Sequence, residues 1–160
     1  MKKMSLLILL IIISCQKEQN ITTQHTNRDS TGNQNRSQKE SGAIKVIENK
    51  PVMNKDEIIR TVDASEIPFI LNENFTKNGQ WLTLKITNYN KPYLKANIIT
   101  KEKDLNIRIG GIRLPDGNED GPFSDKVSYE IKSKGEVWLS VGRNNMAEGK
   151  STGSFSIKVE

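Results

Sequence analysis

Thiol and imidazole chemistry is nearly absent from this chain, in which Cys15 is the sole cysteine and His25 the sole histidine. A single cysteine cannot close an internal disulfide or build a thiolate metal site, and zinc-type ligand spacings are missing. His25 lies among Gln, Thr and Asn, outside any folded pattern, so a Ser/His/Asp or Cys/His arrangement has nowhere to form. Carboxylates remain, but no spacing points to a converging pair, and the chain is expected to be a non-enzyme that needs no cofactor. A bias to one charge is also missing: 24 basic and 19 acidic side chains are interspersed along the chain. Without a clustered basic face, nucleic acid is not an expected partner. The one uninterrupted aliphatic run, Leu6 to Ile13, is about eight residues long, against the roughly twenty that span a bilayer.

That run carries the clearest signal in the sequence. Lys2 and Lys3 precede it and Ile12-Ile13-Ser14-Cys15 closes it, the order of basic region, apolar region and small residue that marks an export signal. The last four residues resemble the bacterial lipobox, in which an aliphatic and a small residue precede a cysteine that receives diacylglycerol before cleavage. The resemblance implies a signal peptide at 1–14, lipidation of Cys15 and a membrane partner reached through that lipid. Loss of Lys2 and Lys3 with the signal leaves 22 basic against 19 acidic side chains, a balance of +3. Residues 16–42 then read QKEQNITTQHTNRDSTGNQNRSQKESG, with Ile21 the only large aliphatic and no aromatic. Such a segment buries too little apolar surface to offset the entropy of ordering it, so 15–42 is expected to be the lipidated cysteine and a disordered tether. Its reach is about 25 to 30 Å, enough to hold a domain clear of lipid headgroups. Gln16-Lys17-Glu18 also resembles short export signals of some Gram-negative surface lipoproteins, or serves as plain polar linker. The expected location is the cell envelope, on an outer membrane facing the periplasm or the cell surface.

Residues 43–160 are long enough for one domain, and their hydrophobic period is two. Leu82, Leu84 and Ile86 alternate with Trp81, Thr83 and Lys85, and the same alternation runs through Val127–Ile131, Val137–Val141 and Phe155–Val159. Each reads as a strand with one face inward and the other solvated. Further strands are expected near Ile67–Phe75, Leu94–Thr100 and Leu105–Ile109, with turns at Lys77-Asn78-Gly79, Asn88–Pro92 and Pro115-Asp116-Gly117. Ile44, Val46 and Ile47 fit an edge strand, while Ile58, Ile59 and Val62 fit another strand or a helical turn. Seven to eight strands with polar turns predict an all-β fold, an antiparallel β-sandwich or jelly roll.

One segment has metal-like spacing. Asp116, Asn118 and Asp120, followed by Gly121, match the first half of an EF-hand calcium loop, but Val127 stands at the twelfth position where a bidentate Glu belongs. The same residues fit a tight acidic turn with Pro115 setting φ. The acidic turn is the expectation, and calcium held by Asp116, Asn118 and Asp120 is its alternative.

Two stretches are similar to known scaffolds. Phe75 to Ile86, a strand followed by Lys77, a Gly79-Gln80 turn and an alternating strand, and Gly135 to Val159, a hairpin with Arg143-Asn144 and Ala147 before the last strand, resemble pre-peptidase C-terminal-type β-sandwiches and the periplasmic inhibitors of g-type and i-type lysozymes. Glu148 stands where those inhibitors commonly carry Arg, and Val137 where Tyr is expected, with Trp138 beside it. Trp138 is expected either beside the loop or capping a second hydrophobic layer. A glycosidase cleft is lined by two carboxylates, and a protruding loop with Arg and amide donors can meet it with charge-assisted hydrogen bonds. Arg143, Asn144, Asn145 and Lys150, with Trp138, are therefore the candidate partner-binding residues. Two functions follow: an exported, lipid-anchored, non-catalytic binding protein whose ligand is a protein or a cell-envelope glycan, or an inhibitor inserting residues 143–150 into a lysozyme.

Overall fold

The computed structural model describes residues 44–160. The signal at 1–14, Cys15 and the tether at 16–42, His25 included, lie outside the described residues. The regular structure of the described residues is almost all strand, in two sheets. One has five strands in the order β1 (Lys45–Ile47), β4 (Phe69–Phe75), β11 (Gly153–Val159), β6 (Tyr93–Ile99) and β9 (Lys126–Glu130). The other has six, in the order β2 (Val52–Asn54), β3 (Glu57–Asp63), β5 (Trp81–Tyr89), β10 (Gly135–Arg143), β7 (Ile107–Arg113) and β8 (Glu119–Asp120). A single 3₁₀ turn, Ala64–Glu66, is started by the Asp63 carboxylate, which accepts the Ser65 amide at 2.9 Å.

The alternating side chains face each other across the sandwich. Leu82, Leu84, Ile86, Val137, Leu139 and Val141 from the six-stranded sheet meet Phe69, Leu71, Phe155, Ile157 and Val159 from the five-stranded one, all buried. Each large aliphatic removed from water contributes about 1.5 to 3 kcal/mol before chain entropy is charged against it. Phe75 and Phe155 pack edge to face with centroids 4.7 Å apart. Tyr89 is fully buried as well, its hydroxyl donating to the Tyr93 carbonyl at 2.6 Å, and burial pushes its phenol up to about 12.

The all-β sandwich expected from the period is present, and eight of its strands have five or more residues. Three short strands, β1, β2 and β8, extend the sheets at their edges. Two pairings are parallel, β1 with β4 and β3 with β5, a departure from a purely antiparallel arrangement. Ile58, Ile59 and Val62 belong to strand β3 and not to a helical turn, because Ile58 and Val62 point inward on alternate positions beside Leu82 and Ile86. The strand expected at Leu105–Ile109 begins at Ile107 and continues to Arg113, the Gly110-Gly111 pair being absorbed where its register against Ser140 and Val141 shifts. Thr83 was expected on a solvated face; it is 6% exposed, its hydroxyl donating to the Glu57 carboxylate at 2.6 Å. Inside, Arg60 of β3 pairs with Glu73 of β4 at 2.8 Å and ties the two sheets together at one end.

Candidate binding site

The expected loop is built as a braced corner. Arg143 ends β10 opposite Ile107, and the buried Asn106 sends its amide to the carbonyls of Asn144 and Ala147 at 2.9 and 2.6 Å. Asn144 turns inward on its own loop, accepting the Met146 amide at 3.0 Å. Gly149 sits at φ +127, where a Cβ would lie 2.7 Å from the Asp104 carbonyl, so the loop closes directly on the 104–106 backbone. Lys150 is tied back to Glu102 at 3.2 Å and Asp104 at 3.3 Å, and hydrogen bonds to these two carboxylates raise its pKa. Glu102 in turn is lowered, first by the Ser154 amide it accepts at 2.7 Å and then by Lys150. Of the four loop candidates, Arg143 and Asn145 are exposed, Asn144 braces the turn, and the Lys150 charge is compensated within the chain.

Trp138 is not beside that loop. It lies on the outer face of the six-stranded sheet, five residues from Arg143 along β10, or about 17 Å. Strand register places Lys85 on one side of it and Arg113 on the other. The Lys85 ammonium is 4.0 Å and the Arg113 guanidinium 4.8 Å from the ring centroid, and the indole N–H donates to Glu136. Cations over an indole are held by the ring quadrupole, by about 0.5 to 2 kcal/mol each, so the ring is fixed from several directions. Two residues on, Ser140 lies level with Thr83 and Gly111, and these small residues form a low floor next to the tryptophan.

The floor becomes a groove because β8 and the turn after it rise along its far side. Gly121 is at φ +141, and a Cβ there would come within 2.7 Å of the Gly110 carbonyl, so only glycine lets this wall approach. The groove has a volume of about 500 Å³, running from Thr83 and Ser140 past Gly110 and Gly111 to Asp120 and Pro122, with Trp138 and Arg113 at its side. Glu119 and Asp120 border it, Glu119 lying 3.8 Å from Arg113 and Asp120 accepting the Gly121 amide at 2.7 Å. A hydrogen bond to Asp120 also raises the Tyr129 phenol above its ordinary value.

The acidic turn is held by its own side chains. Both Asp116 carboxylate oxygens accept from Asn118, from its backbone amide and from its side-chain amide, each at 3.0 Å. Leu114 and Asn118 close the hairpin at 2.8 Å, and Asp120 faces the groove and the Gly121 amide. Among the described residues no group of three or more His, Cys, Asp or Glu side chains converges as metal ligands would. Of the sequence candidates, Trp138 and Asp120 border one groove, and Arg143, Asn144, Asn145 and Lys150 share a separate corner. Lys85, Arg113, Ser140 and the Gly110-Gly111 pair were missed; the glycine pair was the one visible hint, since adjacent glycines inside a strand mark a bulge or a place kept open.

No family model matches the chain, and no curated protein matches it. Among solved structures it is similar to the pre-peptidase C-terminal domain of a collagenase from Bacillus anthracis, with 7% identity and a TM-score of 0.46, over 68% of this chain and 100% of that one. It is also similar to PliG of Aeromonas hydrophila, a periplasmic inhibitor of g-type lysozyme, with 11% identity and a TM-score of 0.40, over 65% of this chain and 99% of that one. These are the two kinds of domain that residues 75–86 and 135–159 resemble.

Proposed function

We propose that this chain is a lipid-anchored, non-catalytic binding module of the cell envelope, attached to the outer membrane through Cys15 and meeting its ligand with the outer face of the six-stranded sheet. The observation that carries the reading is the fixed Trp138, held between Lys85 and Arg113 at the side of an open, glycine-floored groove. A pre-positioned aromatic with a few placed polar groups is the usual makeup of a recognition surface. The carboxylates bordering the groove are committed as acceptors, to Arg113 and to the Gly121 amide, which suits positioning more than proton transfer. The test is retention of the full chain on delipidated envelope material, wild type against Trp138→Ala. The reading expects retention that the substitution weakens about tenfold or more; equal retention of the two proteins contradicts it.

A second reading, insertion of the 143–150 corner into a lysozyme, is favoured by the bracing of that corner by Asn106 and by Arg143, which is exposed and has no carboxylate partner among the described residues. Here the full chain forms a stoichiometric complex with a g-, i- or c-type lysozyme, and Arg143→Ala weakens it by about 2 kcal/mol or more by leaving the cleft carboxylates uncompensated. Absence of any complex at micromolar concentration removes this reading.

A further inference from the structure

We propose that the groove beside Trp138 holds a neutral, hydroxyl-rich saccharide chain lying across the strands, along the floor made by Thr83, Ser140, Gly110 and Gly111. This rests on the reading that the outer face is the binding face, and it names the chemical class of the ligand.

Charge balance selects against polyions. Arg113 lies 3.8 Å from Glu119, Asp120 lines the same groove, and Lys85 and Glu136 both meet Trp138, so the two signs are mixed around the groove, and neither a polyanion nor a polycation meets a field that would hold it. The main chain selects against an extended peptide. Peptides add to a sheet through unpaired backbone groups at an edge, whereas the floor lies over β5, β10 and β7, whose ladders are already paired on both sides of β10. A ligand meets side-chain chemistry of both kinds: the Arg113 guanidinium as donor, the lone pairs of Glu119 and Asp120 beyond those given to Arg113 and the Gly121 amide, and the Ser140 oxygen as acceptor, its hydroxyl donating to the Gly111 carbonyl at 3.4 Å. A sugar hydroxyl donates one hydrogen bond and accepts two, so a polyol can use both kinds at once.

The shape fits the same ligand. Trp138 lines the groove beside a floor kept low by two glycines and by Ser140, and its ring holds the Arg113 guanidinium at the groove side, where it can donate to sugar hydroxyls. Trp81, 41% exposed, lies four residues from Lys85 along β5 and hence about 14 Å along the strands from the level of Trp138. The groove itself crosses the strands, from Thr83 on β5 over Ser140 and Gly111 to Asp120 on β8, so a ligand in it passes between the levels of the two indoles.

The full chain, purified in a detergent without a sugar headgroup, is titrated with chitohexaose and with cellohexaose, and the two tryptophan indole signals are followed by NMR. At least one of these neutral oligosaccharides is expected to saturate the Trp138 signal. Affinity should fall about tenfold or more in Trp138→Ala and severalfold in Arg113→Ala. Lys95→Ala, on β6 of the other sheet, should bind as the wild type does. Raising salt from about 50 to 500 mM should change affinity by less than about twofold, because no counterions are released by an uncharged ligand. Failure of both oligosaccharides to bind, or equal binding by Trp138→Ala, overturns the proposal, as does salt-sensitive binding of heparin in their place. If envelope material is still retained through Trp138 while both oligosaccharides fail, the saccharide assignment falls and the binding-module reading stands.

Discussion

Asn106 governs the loop at 143–150 more than any residue of the loop itself. Its buried amide serves two loop carbonyls, and its backbone meets the Lys150 carbonyl at 2.8 Å and the Asn144 amide at 3.2 Å. Asn106→Ala removes two hydrogen bonds and leaves acceptors unpaired, a loss of about 2 to 3 kcal/mol. Denaturant unfolding measures that loss, and hydrogen exchange at the Ala147 and Lys150 amides reports whether the corner loosens with it. Thr83 makes a matching point on the outer face. A charge there sits against Glu57 in a site 6% exposed, so Thr83→Asp is expected to destabilise by several kcal/mol, as Leu84→Asp does on the inner face. Thermal unfolding of both variants checks this, and a neutral Thr83→Asp would contradict the burial of Thr83 against Glu57.

Strands are the scale at which this sequence is most readable, and the reason is burial. Leu82-Thr83-Leu84-Lys85-Ile86 and Val137-Trp138-Leu139-Ser140-Val141 alternate because each inward position must be apolar, and both run as the alternation indicates. Pairing is a different matter. That β3 lies parallel to β5, and that Lys85 and Arg113 both come level with Trp138, depend on register between segments far apart in the chain, which no local pattern records. The groove was illegible for the same reason, since its floor, wall and aromatic come from four different strands. The cross-sheet pair is equally non-local. Arg60 and Glu73 have side chains 9% and 10% exposed, and Arg60 also donates to the Asn72 carbonyl and to Asn49. Removing one partner, as in Arg60→Met or Glu73→Leu, leaves the other charge buried and costs about 3 to 5 kcal/mol, whereas the double replacement recovers most of that loss. A double-mutant cycle by denaturant unfolding measures it; additive single effects would show that the two side chains do not act as a pair.

For the molecule as a whole, titration sets both ends of the stability profile. Hydrogen bonds from the Ser65 hydroxyl and amide, and from Asn88, hold Asp63 down to about 2 from 3.8, and Glu102 is lowered as well. The unfolded chain therefore takes up protons first, and stability present above about pH 4 is lost as pH falls toward 2. Asp63→Asn should flatten this acid limb of the melting temperature. At the other end the buried Tyr89 binds its proton more tightly folded than unfolded, so stability is full below pH 10 and declines as pH climbs toward 12, a limb that Tyr89→Phe should shorten. Anchoring belongs to this scale too: lipidation needs the thiol, so Cys15→Ser is expected to move the protein out of the detergent-extracted membrane fraction, and unchanged partitioning with the signal removed would refute the anchor. The central claim, that the ligand meets the outer sheet face, is tested most directly by hydroxyl-radical footprinting of the full chain bound to envelope material. Protection of Trp138 and Trp81 with Met146, 85% exposed, oxidising as freely as in the unbound chain is the predicted result; protection of Met146 with both tryptophans left open would contradict the account and move the site to the 143–150 corner.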